Sequence, residues 1–174
     1  PTIIPYALSF GTVTAATSVL IRLHTDKGIY GIGDTSPCPG FAEESVESVV
    51  NLLRHYLYPA IRGMDPLNIG MIHKRMDDAV KGNSFAKAAV GIAMYDILGK
   101  HLNVPMYMLL GGCFRKEFPL LWPLMGADAA TNVREAKKAA KKGYRSFMIK
   151  VGHNDPEVEI ERIAAVRAAI GDQI

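Results

Sequence analysis

Cysteine is scarce in this chain of 174 residues: Cys38 and Cys113 are the two present, 75 positions apart, and they form no CxxC pair. That excludes a disulfide scaffold and a zinc site, and leaves two thiols expected to be mostly buried in a reducing, cytoplasmic compartment. No apolar run reaches 18 residues, so no membrane span is predicted. No basic segment followed by an apolar stretch opens the chain, so no secretory signal is read. Charge of one sign is lacking too. The net charge is +3 and the pI is 8.9, too small an excess to argue for nucleic acid or an anionic membrane as partner. An initiator Met is absent and the chain stops at Ile174, just after a helix-like segment. We therefore expect a piece of something longer.

What is present is a core-forming composition. Hydrophobic residues make up 49% and charged residues 21%, which excludes a wholly disordered chain. The length suits one ordinary domain, or a small domain plus part of another. Residues 17–24 (TSVLIRLH) alternate as a half-buried strand should, 25–28 form a turn with Gly28 free to take positive φ, and 29–34 (IYGIGD) return. Gly31 and Gly33 imply close backbone approach; the third glycine of a dinucleotide fingerprint is missing, so no such site is read. Residues 35–41 (TSPCPGF) are a loop. Helices are predicted over 43–58 (closed by Pro59), over 66–80 (opened by Asp65-Pro66), over 84–102 (buried on more than one face) and over 105–110. After about residue 117 the pattern changes. Apolar strands at 118–125 and 146–151 alternate with helices at 131–142 and from 155 to about 170, as in the start of a parallel β/α array. A closed (β/α)8 barrel needs about 250 residues, so the second half begins an architecture that these residues do not complete.

Lys150 is the odd residue in an apolar strand. Alternation puts Met148 and Lys150 on one face of SFMIKV, and Phe147 and Ile149 on the other. The C-terminal ends of parallel strands carry the chemistry in β/α folds. A desolvated ammonium among cationic neighbours becomes a usable base, whereas a lysine at a strand end also simply snorkels to solvent. His24, His55, His73, His101 and His153 share no close metal-ligand spacing. Glu43, Glu44 and Glu47 read as a solvated acidic helix start, and Lys137, Lys138, Lys141 and Lys142 as a wet helix face. Trp122 reads as core whose strand end could also touch a ligand.

Three stretches carry a family resemblance: VLIRLHTDKGIYGIGD (19–34), KGNSFAKAAVGIAMYDILGKHLNVPMYMLLGG (81–112) and FMIKVGHNDPEVEIERIAAVRAAIGD (147–172). With them the chain resembles the enolase superfamily, within it the muconate cycloisomerase (muconate-lactonizing) and mandelate racemase group. The opening residues look most like the muconate-lactonizing branch. The resemblance implies an α+β capping domain followed by the start of a modified (β/α)8 TIM barrel, truncated at both ends. Residues 1–117 would be the incomplete cap and 118–174 the first two β/α units of the barrel.

For function, the resemblance implies a metal-dependent cycloisomerase of the muconate-lactonizing type. A proton moves at the carbon α to a carboxylate, through an enolate intermediate held by Mg or Mn. The family places a Lys-x-Lys pair at the end of the second barrel strand. Lys150 matches the second, catalytic lysine; Met148 stands where the first would be, which removes a charge that would help make Lys150 a base. The metal ligands would lie beyond residue 174, so none is assigned here. Two cap loops, about 8–14 and 35–41, would close over the substrate. Phe10, Thr12, Phe41, Trp122 and Met148 are the expected substrate-binding residues, their small, neutral and aromatic side chains suiting an apolar or unsaturated acid. The expected partners are a small carboxylic acid and further copies of the chain in a homo-oligomer. The 174 residues alone are expected to be inactive. The alternatives are a racemase, epimerase or dehydratase on the same scaffold, and a non-catalytic fragment that only binds or self-associates.

Overall fold

A computed structural model describes residues 6–8, 11–152 and 154–172, with side chains from residue 11 onward. The chain divides into two compact units, Ala16–Phe114 on one side and Arg115–Ile174 with Pro1–Ala15 on the other.

In the Ala16–Phe114 unit, β3 (Val19–His24) and β4 (Tyr30–Thr35) pair antiparallel, with Val19 opposite Thr35 and His24 opposite Tyr30. The turn between them has Gly28 at φ +77°, and the Thr25 hydroxyl donates to the Ile29 carbonyl at 2.8 Å. A helical stretch follows: α1 (Val46–Leu52), a π-helical turn (Leu53–Leu57) and α2 (Tyr58–Ile61). Ser45 and Ser48 cap its start reciprocally. Pro59 does not close this stretch, as its sequence position implies. It sits in the first turn of α2, where its missing N–H costs no hydrogen bond. The next helix, α3 (Ile69–Ala79), starts three residues later than predicted, because Asp65 is used in a turn that receives the Leu67 and Asn68 amides. Then come α4 (Ser84–Leu102) and the short α5 (Met106–Leu109).

The central helix α4 buries small residues, Ala86, Ala89, Gly91, Ala93 and Gly99, along with Val90, Met94 and Ile97. β4 lies directly on it. A Cβ on Gly31 would fall 1.9 Å from the Ala93 carbonyl oxygen, and one on Gly33 would fall 1.9 Å from that of Ala89. The rest of this core is Val19, Val49, Leu57, Ile72 and Met76. Glu44 belongs to it as well, which corrects the reading of Glu43, Glu44 and Glu47 as a solvated set. Glu44 is 4% exposed and its carboxylate accepts the Phe85 and Ala86 amides at 2.7 and 3.1 Å. It caps α4 rather than its own helix. Asn83, at the N-cap with φ +57°, turns its side chain to the Lys81 carbonyl instead.

In the other unit, β1 (Tyr6–Leu8) and β2 (Gly11–Val13) form an antiparallel hairpin. Of the segment expected as a loop over 8–14, Leu8 ends β1 and Gly11–Val13 form β2, with Gly11 at φ +142°, in keeping with the β-branched Thr12 and Val13. β5 (Leu121–Leu124) and β6 (Ser146–Ile149) pair in parallel, with α6 (Ala129–Lys141) between them in sequence and α7 (Pro156–Ile170) after them. Their core is Leu124, Ala136 and Val166, with Trp122, Val133, Phe147, Ile149 and Ile170 packed around it. Cys38 is half-buried and Cys113 is exposed. The expectation of two mostly buried thiols therefore fails at Cys113, which follows the Gly111-Gly112 stop of α5 in a stretch without helix or strand.

Candidate active site

The site is built on the parallel pair β5–β6. Trp122 lies opposite Phe147, Pro123 opposite Met148 and Leu124 opposite Ile149. Trp122, Leu124, Phe147 and Ile149 face α6 and α7 and form the core. Pro123 and Met148 take the opposite face, where Met148 is 37% exposed. Lys150 directly follows β6 and is half-buried. Alternation carried one residue past the strand sets it on the face of Met148, at the C-terminal end of a parallel strand.

The loops after both strands are anchored to helices. After β5, the Met125 and Gly126 amides donate to Glu135 Oε2 at 2.9 and 3.3 Å. Asp128 caps α6 by accepting the Thr131 amide at 2.8 Å, and that bond holds its carboxyl below the usual aspartate range. Gly126 is required by proximity, since a Cβ there would lie 2.6 Å from the Thr131 methyl and 2.7 Å from Asn132 Nδ2. After β6, Gly152 takes φ +99° and the chain is held at Asn154, whose amide donates to Glu159 Oε1 at 3.1 Å and whose Nδ2 donates to the same oxygen at 3.3 Å. Arg162 joins the two loops. Its Nε donates to Asn132 Oδ1 at 3.1 Å, its Nη2 to the Gly126 carbonyl at 3.0 Å, and its Nη1 to Glu159 Oε2. Asn132 Nδ2 also donates to the Gly126 carbonyl, at 3.0 Å.

Met148 lies on the face of β6 away from the core, and Lys150 follows the strand's last residue by one position. Trp122 is on the other face, toward the N-terminal ends of the strands, with its ring 4.7 Å from that of Tyr144 and 5.7 Å from the Lys142 ammonium. Thr12 is exposed on β2, and Phe41 is 83% exposed in the Ala16–Phe114 unit. Phe10 and His153 lie outside the described residues. Sequence reasoning missed Asn132, Glu159 and Arg162. The buried stripe of α7 is Glu159, Arg162 and Val166, while Val158, Ile160 and Ile163 are exposed. Two of the three residues buried on this helix are therefore charged, which an apolar pattern does not reveal.

Among the described residues, no three His, Cys, Asp or Glu side chains are placed to hold a metal ion, so they do not fit a metal centre. No described helix is long and apolar enough to cross a membrane.

Comparison with known proteins agrees with this architecture. A family model for the mandelate racemase / muconate lactonizing enzyme N-terminal domain matches residues 1–111. The N-succinyl-L-Arg/Lys racemase of Bacillus cereus is 41% identical over 170 residues, 98% of this chain and 46% of the racemase. A crystal structure of that racemase superposes with a TM-score of 0.94 at 40% identity, covering 98% of this chain and 46% of the other. Muconate cycloisomerase 1 of Acinetobacter baylyi is 36% identical over 178 residues, 100% of this chain and 48% of the relative. A dipeptide epimerase from Cytophaga hutchinsonii, complexed with Mg and the dipeptide D-Ala-L-Val, superposes with a TM-score of 0.91 at 31% identity, covering 99% of this chain and 46% of the other. The chain spans about half the length of the curated relatives it matches.

Proposed function

The chain belongs to the mandelate racemase / muconate lactonizing enzyme family, and on that premise we propose that it is the part of an isomerase that carries the proton-transferring residue, Lys150. Its fold is an α+β capping domain followed by the start of a modified (β/α)8 barrel. The relatives it matches are isomerases: a racemase, an epimerase and cycloisomerases. In the proposed reaction Lys150 Nζ takes the proton from the carbon α to a substrate carboxylate and returns it, or an acid elsewhere in the whole protein delivers one to the opposite face. Charge builds on the carboxylate oxygens between the two steps. A divalent ion, Mg or Mn, would stabilise that charge, with ligands placed outside these 174 residues.

The observation that supports this reading is the position of Lys150. It is half-buried and directly follows a parallel strand, and strand alternation carried one residue further sets it on the face of Met148. Met148 beside it offers a thioether and no charge. We place the substrate among small carboxylic acids. An N-acylated amino acid is favoured by the 41% identity to a racemase over nearly the whole chain. Muconolactone chemistry is the second reading, supported by the 36% identity to a muconate cycloisomerase over the full chain.

The test follows α-proton exchange by NMR in D2O, with the whole protein and Mg, on N-succinyl-L-lysine and on muconolactone. Lys150→Ala is expected to slow exchange by roughly 10²–10⁴-fold. Exchange at the unaltered rate would overturn the assignment. Racemisation of N-succinyl-L-lysine without turnover of muconolactone would favour the first substrate, and the reverse the second.

A further inference from the structure

Replacing a buried ion pair by well-packed apolar residues is often neutral or stabilising, so stability alone does not account for Arg162–Glu159. Their side chains are 5% and 8% exposed, and Asn132 is fully buried. What this pair does that apolar residues could not is make directional bonds to three separate pieces of chain. The planar guanidinium reaches α6 at Asn132, the loop after β5 at Gly126, and Glu159 on its own helix. Glu159 in turn holds the loop after β6 at Asn154.

Lys150 stands between two supports. On its N-terminal side is the ladder to β5, ending at Leu124 and Ile149. On its C-terminal side the chain is irregular through Gly152 until Asn154 meets Glu159. We infer that Arg162, acting through Glu159, is a positioning residue for Lys150. The buried network ties the loop after β6 to the loop after β5 and so fixes where the lysine's backbone leaves the strand. This inference rests on the reading of Lys150 as the proton-transferring residue. Neither Arg162 nor Glu159 is given any contact with substrate. Their loss should therefore lower turnover and leave substrate binding in place. A misplacement of about 1 Å in a reacting group can cost about 10²-fold in rate.

The experiment compares the whole protein with Glu159→Gln, Arg162→Lys, Asn154→Ala and Lys150→Ala. It reads kcat and KM for α-proton exchange, together with amide hydrogen exchange across the β6–α7 loop. Glu159→Gln keeps the volume of the side chain, and Arg162→Lys keeps the charge but loses the rigid planar fork that spans the three acceptors. For both, kcat is expected to fall about 10²-fold with KM nearly unchanged, and protection is expected to be lost at the Asn154 amide while α6 and α7 stay protected. Asn154→Ala lies on an exposed residue and leaves the buried pair intact, so it should show a smaller loss of the same kind. It keeps the test decisive where a buried variant fails to fold. Unaltered kcat and loop protection in folded variants, or a parallel change in kcat and KM, would overturn the positioning role. Wild-type exchange by Lys150→Ala would instead overturn the reading of Lys150 on which it rests.

Discussion

Glu44 is a surface-type residue used as an interior one. Its two oxygens receive the first amides of a helix 41 and 42 positions further along the chain. Those amides have no partner within α4, as at any helix N-terminus, and the carboxylate also meets the positive end of the helix dipole. Removing it strands both donors in a buried place. Glu44→Ala is therefore expected to destabilise the protein by roughly 2–3 kcal/mol, and Glu44→Gln, which keeps one acceptor, by less. Urea denaturation of the three proteins side by side measures this. Equal midpoints would mean that water or another side chain takes over the capping. Lys150 is the opposite case, since strand alternation alone locates it and no distant partner is needed to say which face it shares.

At the scale of elements, the closest packing is β4 on α4. Glycine at 31 and 33 lets the strand backbone approach the carbonyls of Ala93 and Ala89, and an added methyl would meet backbone rather than a side chain that can move aside. Gly31→Ala and Gly33→Ala are each expected to cost about 3 kcal/mol or more, because the whole helix must shift. Thermal melts would read this as a large drop in Tm, and a drop within error would contradict the approach. The exposed edge of the same pairing is closed by polar groups. Asp96 accepts the Ile32 amide at 2.8 Å and the Lys100 ammonium at 2.7 Å, and Lys100 also donates to the Tyr30 carbonyl. Burial pushes the Asp96 carboxyl up, but the Lys100 ammonium and the Ile32 amide outweigh it and hold the group below its ordinary value of 3.8. A carboxyl lowered by folding stabilises above its unfolded value, and that contribution is lost as the pH falls through the folded one. The stability gap between wild type and Asp96→Asn should thus be present at pH 7 and shrink below about pH 4. Urea melts across that range measure it, and a gap independent of pH would show that the carboxylate's charge contributes nothing.

At the scale of the whole molecule, the chain passes from Ala16–Phe114 into Arg115–Ile174 through a stretch, 110–120, without helix or strand. Phe114 is 92% exposed and Phe118 is 70% exposed. Limited chymotrypsin digestion is expected to cut there first, yielding a fragment that begins at the N-terminus and ends at Phe114, identifiable by mass; the bond after Phe118 leads into Pro119 and resists the enzyme. A first cut inside α4 or α6 would contradict the division into two units. Local patterns assign strands at 118–125 and 146–151 and helices at 131–142 and from 155 to about 170, whereas the short strands Tyr6–Leu8 and Gly11–Val13 carry too few residues for a period to show.

The sequence by itself determined whatever repeats over a few residues. The alternation in SFMIKV set Met148 and Lys150 apart from Phe147 and Ile149. The small residues of 84–102 marked a helix buried on several sides, and the paired glycines of IYGIGD announced a close approach. Each of these follows from the geometry of one strand or one helix. The tertiary structure alone decided which partners the long polar side chains found. Glu44 crosses to another helix, Arg162 reaches Asn132 thirty positions away and Gly126 thirty-six away, and Trp122 turns to the helix side of its sheet. Such pairings depend on a carbonyl or amide that is left unsatisfied only once distant segments have packed, and period and composition carry no trace of that vacancy.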